Sequence, residues 1–179
     1  MPPKKQTQAS MSAAPPSAPS AGSASANGIR NAALALGTRA VGAGPGIVTG
    51  HDYRSYSMAI KLALTQGLMA AGAHVKDIGL ALSPMAYFAQ FALDVPAVAM
   101  ITASHNDNGW TGVKMGINRP LTFGPDEMGR LKEIVLNGEY KSFPGGAYKY
   151  VEGLRERYIA DVVNNVSFSR KMKVIAACG

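Results

Sequence analysis

The sequence predicts an α/β fold, three layers (α/β/α) around a mixed, mostly parallel sheet. Three observations carry that expectation. Short apolar runs alternate with longer runs of helical period, in the order strand, helix, strand, helix, strand, which implies parallel pairing through right-handed crossovers. The run Val95 to Ile101 (V-P-A-V-A-M-I) is apolar throughout, as a strand covered on both faces must be. The strands at Ile47–Thr49 and Val95–Ile101 both run into loops of small and polar residues, and open α/β sheets present their chemistry at such strand ends.

The elements follow in order. Residues 1–27 are mostly Pro, Ala, Ser and Gly, with two lysines, Lys4 and Lys5, and no aromatic residue, so they read as a disordered tail. No acidic residue precedes Asp52, but the prolines break the amphipathic helix that an import signal needs. Gly28 to Val41 is rich in Ala and Leu and reads as a helix, stopped by Gly42 to Gly46 with Pro45. Ile47 to Thr49 opens a buried strand. Gly50 to Ser57 forms a polar loop, in which Ser55 or Ser57 is expected to cap the next helix and Asp52 to pair with Arg54.

Met58 to Ala71 has the clearest helical pattern, with Ile60, Leu64, Leu68 and Ala71 on one face and Gly72 at the C-terminal glycine position. His74 to Ile78 is the next strand, with His74 as a surface or strand-edge residue. Pro84 suits the first turn of a helix through Phe91, whose Met85, Tyr87, Phe88 and Phe91 are expected in the core. After Val113 to Met115 comes a helix that Asp126 and Glu127 favour at its start and Gly138 ends. Tyr148 to Val166 reads as a longer helix, and Met172 to Ala177 (M-K-V-I-A-A) as a final strand.

Composition narrows the function classes. The 179 residues suit one domain with a tail. No run approaches the roughly 18 apolar residues of a membrane span. The single cysteine, Cys178, excludes a disulfide framework and fits a reducing, cytoplasmic setting. The net charge of +7 comes from scattered cations without an aromatic-rich basic stripe, so no nucleic-acid partner is expected. An anionic ligand suits that sign of charge.

The candidate site is Met100 to Gly116, M-I-T-A-S-H-N-D-N-G-W-T-G-V-K-M-G. Gly109 and Gly112 let this backbone turn or approach a ligand closely. An unmodified serine such as Ser104 is a poor nucleophile, whereas a phosphoserine starts as a donor. It carries about −1.5 to −2 charge and needs cations, backbone amides or a metal around it. His105 and Lys114 can supply part of that.

T-A-S-H-N followed by an aromatic, Gly, any residue and Lys resembles the serine loop of the α-D-phosphohexomutases, the phosphomannomutase and phosphoglucomutase group. Gly50, Asp52 and Arg54 resemble that family's loop after the corresponding strand. The resemblance runs from about Ile29 to the last residue and is closest from Ile47 to Gly116. It implies an α/β domain like the family's first, over residues 28–168, with residues 169–179 as the opening strand of a truncated second domain.

It also implies a function: phosphotransfer between the 1- and 6-positions of mannose or glucose phosphates. The substrate would be a hexose phosphate and the intermediate a hexose bisphosphate. Ser104 is the implied phosphoryl carrier, with His105 and Lys114 as acid, base or charge stabilisers. Asn106, Asp52 and Arg54 would support the loop or its phosphate. The implied cofactor is Mg²⁺, touched in this chain only through the phosphate on Ser104. The family's three alternating aspartates are absent, since no two of Asp52, Asp77, Asp94, Asp107, Asp126 and Asp161 stand two apart. The family's opening Tyr-Asp-x-Arg-Gly segment and its sugar-selecting loop are also absent; Gly138 to Ser142 has the wrong spacing for the latter. The competing expectation is a non-catalytic phosphosugar-binding or assembly fragment, with any missing domains on a longer chain.

Overall fold

The sheet is built outward from β1 (Gly46–His51), whose last five residues are buried. β2 (His74–Leu80) pairs parallel on one side of it and β3 (Ala97–Ile101) parallel on the other. β4 (Val113–Gly116) joins β3 antiparallel, and β5 (Ala147–Tyr150) joins β2 parallel, giving the order β4-β3-β1-β2-β5. The computed structural model describes residues 30–33, 35–37, 46–119 and 122–177. The expected tail and most of the expected flanks of the Gly28–Val41 helix lie outside them; residues 30–33 and 35–37 are helical.

Side-chain alternation along the central strands assigns the layers. Ile47, Ala97, Ala99 and Ile101 face one core with the N-terminal helical segment, α1 (Ser57–Ala70) and α3 (Pro125–Leu136). Val48, Val98 and Met100 face the other, with α2 (Ser83–Ala92) and α4 (Leu154–Asn164). The three-layer α/β/α arrangement and its mostly parallel sheet therefore match the sequence pattern. Leu64, Leu68 and Ala71 are fully buried as their spacing requires, Gly72 leaves α1 at φ 83°, and Pro84 lies in the first turn of α2. No helix among the described residues is long and apolar enough to cross a membrane.

Four local expectations are corrected. Tyr148–Val166 is not one helix. Ala147–Tyr150 pairs with His74–Asp77 as an exposed edge strand, and Gly153, at φ 70°, separates it from α4. Met172–Ala177 forms no strand, and Ile175 is 97% exposed, because nothing among the described residues pairs with its backbone. Phe91 is not core; it is exposed, with the Arg119 guanidinium 5.5 Å from its ring centre. Neither serine caps α1: Tyr56 holds the capping position, and the Ser57 hydroxyl turns inward to Asp52.

Candidate active site

Because β1 and β3 are parallel neighbours, their following loops leave the same edge of the sheet. The backbone closes this edge: Asp52 N–H donates to the Ile101 carbonyl at 2.9 Å, and Thr102 N–H to the Gly112 carbonyl at 3.0 Å. The loop of residues 102–112 thus has a fixed base, with Lys114 just beyond it on β4, paired to Met100.

Asp52 and Arg54 tie the two loops together. Asp52 Oδ1 accepts from the Ser57 hydroxyl at 2.6 Å and from Arg54 N–H at 3.2 Å, while Oδ2 pairs with Arg54 Nη1. Arg54 Nη2 then crosses to the serine loop and donates to the carbonyls of Asn106 at 2.6 Å and Ser104 at 3.4 Å. Burial opposes the charge on Asp52, but hydrogen bonds from Ser57, the Arg54 amide and guanidinium, and Thr102 together hold its carboxyl below the usual range.

Ser104 sits at φ 58°, a left-handed conformation that costs energy for any residue with a Cβ. The Thr102 hydroxyl accepts its N–H at 2.9 Å and steadies it there. Its own hydroxyl oxygen is solvent-exposed, 3.3 Å from His105 Nδ1. An open depression of about 310 Å³ gathers Ser104, His105, Lys114, Asp52, Arg54 and Thr102. Five of the six residues expected at the site therefore share one concavity. Asn106 instead lies along a neighbouring depression with Tyr53, Ser55 and Asp107, and it meets Arg54 through its backbone.

The sequence reading missed three supporting residues. Ser57 is 1% exposed and binds Asp52; Thr102 orders the Ser104 amide; Tyr56 reaches the far half of the serine loop.

The family described as phosphoglucomutase/phosphomannomutase, alpha/beta/alpha domain I, matches residues 20–142. The chain belongs to the phosphoglucomutase/phosphomannomutase family.

Among its relatives in that family, a phosphomannomutase of Escherichia coli is 34% identical over an alignment of 141 positions that covers 74% of this chain and 30% of that protein. A probable phosphoglucosamine mutase of Pyrococcus abyssi is 32% identical, covering 79% of this chain and 32% of the relative. The solved structure of a putative phosphomannomutase from Thermus thermophilus superimposes with a TM-score of 0.67 at 28% identity, over 78% of this chain and 32% of that one. A phosphoglucomutase/phosphomannomutase family protein from Burkholderia thailandensis shares the fold with a TM-score of 0.71. The chain thus spans about a third of the length of the family members it matches.

The described part of this family member does not form a metal site by itself. No three His, Cys, Asp or Glu side chains come together there in a group able to hold an ion. The carboxylate in the depression, Asp52, has both oxygens engaged by Arg54 and Ser57. What lines the depression is a hydroxyl, an imidazole and an ammonium, groups suited to a transferable anionic group.

Proposed function

We propose that Ser104 carries the phosphoryl group of a phosphohexomutase-type transfer between the 1- and 6-positions of hexose phosphates, mannose or glucose. The observation that carries this reading is the gathering of Ser104, His105 and Lys114 in one open depression, on a loop that Arg54 holds from the neighbouring strand end. Phosphoryl transfer is mostly positioning and charge stabilisation, and these residues offer both.

Each half-reaction balances simply. The bond between phosphorus and the Ser104 oxygen breaks as a bond from phosphorus to a sugar oxygen forms. The proton leaves the sugar hydroxyl, and the Ser104 oxygen regains one. In this reading His105 Nδ1, 3.3 Å from that oxygen, exchanges a proton with it, and the Lys114 ammonium offsets the phosphoryl charge. After the bisphosphate turns over, the reverse transfer reloads Ser104 from the other end of the sugar.

Mg²⁺ belongs to this reading only as an ion that a phosphate on Ser104 would help to hold, with water and ligands from outside the described residues. No step above depends on it. The second reading, a phosphosugar-binding or assembly fragment, is favoured by one observation: the depression is open, so it grips a hexose phosphate on a single side.

The deciding experiment incubates the chain with a hexose 1,6-bisphosphate and measures intact mass and the modified residue. The expected result is one added phosphate on Ser104, lost in Ser104→Ala. A chain that binds the bisphosphate but takes no phosphate would instead support the binding-fragment reading.

A further inference from the structure

We infer that Tyr56 is the positioning residue of the serine loop, a latch on its far half that keeps Ser104 aligned with the depression. The inference rests on the reading of Ser104 as phosphoryl carrier.

The loop of residues 102–112 is long, exposed and strained at its nucleophile. Arg54 holds only its near half, through the Ser104 and Asn106 carbonyls. The far half turns at Gly109, where φ is 100°, and carries Trp110, a residue 57% exposed that offers little apolar anchorage. There the Tyr56 hydroxyl accepts from Gly109 N–H at 3.0 Å and donates to the Trp110 carbonyl at 2.7 Å. One phenol uses its donor and its acceptor on adjacent residues. Both contacts are to main chain, so they fix the path of the loop and not one side chain.

Tyr56 is itself well placed to act as a fixed point. It occupies the capping position of α1, directly before Ser57, which is buried against Asp52. Arg54 and Tyr56, two residues apart, therefore hold the two halves of the loop from one short segment. With its base closed and its near half held by Arg54, the loop keeps one half free to swing, and Tyr56 holds that half. That hold matters because misplacement by about 1 Å can cost roughly a hundredfold in rate.

The test is Tyr56→Phe in the full chain, which keeps the ring and removes the hydroxyl. Trp110 is the only tryptophan, so its fluorescence reports this loop alone. The expected outcome is exchange of the Gly109 amide faster by about tenfold, as for one lost hydrogen bond, with lower Trp110 anisotropy and easier quenching. Phosphorylation of Ser104 by a hexose bisphosphate should then have a maximal rate about 10- to 100-fold lower, at a half-saturating concentration within about twofold of the parent. Unchanged exchange and fluorescence would overturn the latch. So would a loosened loop that is phosphorylated at the parent rate. If the parent chain takes no phosphate, the mutase reading fails, and exchange and fluorescence alone decide whether Tyr56 latches the loop.

Discussion

The guanidinium of Arg54 donates to the backbone carbonyl of Asn106 at 2.6 Å while its other nitrogen pairs with Asp52. One side chain, 7% exposed, thus joins the end of β1 to the loop that follows β3. The contact on the loop is to backbone, so it constrains where the chain runs and leaves the Ser104 and His105 side chains free for a ligand.

Removing the carboxylate of Asp52 should release that joint. Asp52→Asn leaves a nearly buried guanidinium without its counter-charge, at a cost of about 3 kcal/mol. The sign of the pH dependence follows from the direction of the shift. Asp52 has its pKa lowered in the fold, so its stabilisation is complete above the ordinary carboxylate range and disappears as pH falls through the folded value. Acid titrations of unfolding should show a shallower decline for Asp52→Asn than for the parent. Parallel acid limbs would remove Asp52 from the account.

Ser104 predicts an opposition between stability and chemistry. Its φ of 58° is a conformation that glycine adopts without strain. Ser104→Gly should therefore be more stable than Ser104→Ala by about 1 kcal/mol, with neither variant accepting phosphate. Denaturant midpoints of the two variants check this directly. Equal midpoints would mean that the backbone relaxes out of the left-handed region once the serine is gone.

The parts of the fold that could be read from sequence were those where a local pattern has one outcome. Val95 to Ile101 is apolar on both alternations and its last five residues form the interior strand β3, and Pro84 and Gly72 bound their helices as expected. β5 was illegible because Ala147–Tyr150 is exposed throughout and its edge pairing with β2 is a tertiary choice. At the site, the motif named Ser104, His105 and Lys114, and the D-x-R pattern named the ion pair. Tyr56 escaped because its partners are the main-chain groups of Gly109 and Trp110, which leave no trace in residue type.

Gly67 should resist even alanine. A Cβ there would stand 2.5 Å from the Arg30 carbonyl oxygen and 2.6 Å from Ala33 Cβ, so the N-terminal helical segment rests directly on α1 at this point. Gly67→Ala gains helix propensity but must push that segment away, with a net loss of about 1–3 kcal/mol. Faster amide exchange at residues 30–33, with α2 unaffected, is the expected signature. An alanine variant more stable than the parent would show that the segment shifts freely.

The buried pair of Lys61 and Asp77 carries the last prediction. Lys61 Nζ lies 2.8 and 2.6 Å from the two Asp77 oxygens, which also accept from Gly79 N–H at 2.8 Å and the Tyr148 hydroxyl at 2.9 Å. Lys61→Met strands the carboxylate and should cost about 3–5 kcal/mol, whereas Lys61→Met with Asp77→Asn should recover part of that loss. Burial, with the hydrogen bond and the charge of Asp77, pushes the Tyr148 hydroxyl up to about 12. A raised folded pKa gives stabilisation that is complete below the unfolded tyrosine value near about 10 and lost as pH rises through the folded one. Tyr148→Phe should therefore lose about 1 kcal/mol near neutrality, the worth of one hydrogen bond, and decline less steeply than the parent at alkaline pH. The phenolate absorbance of the parent should show a late-titrating tyrosine that Tyr148→Phe lacks. If that late step survives the substitution, Tyr148 is not the group whose proton the Asp77 carboxylate retains.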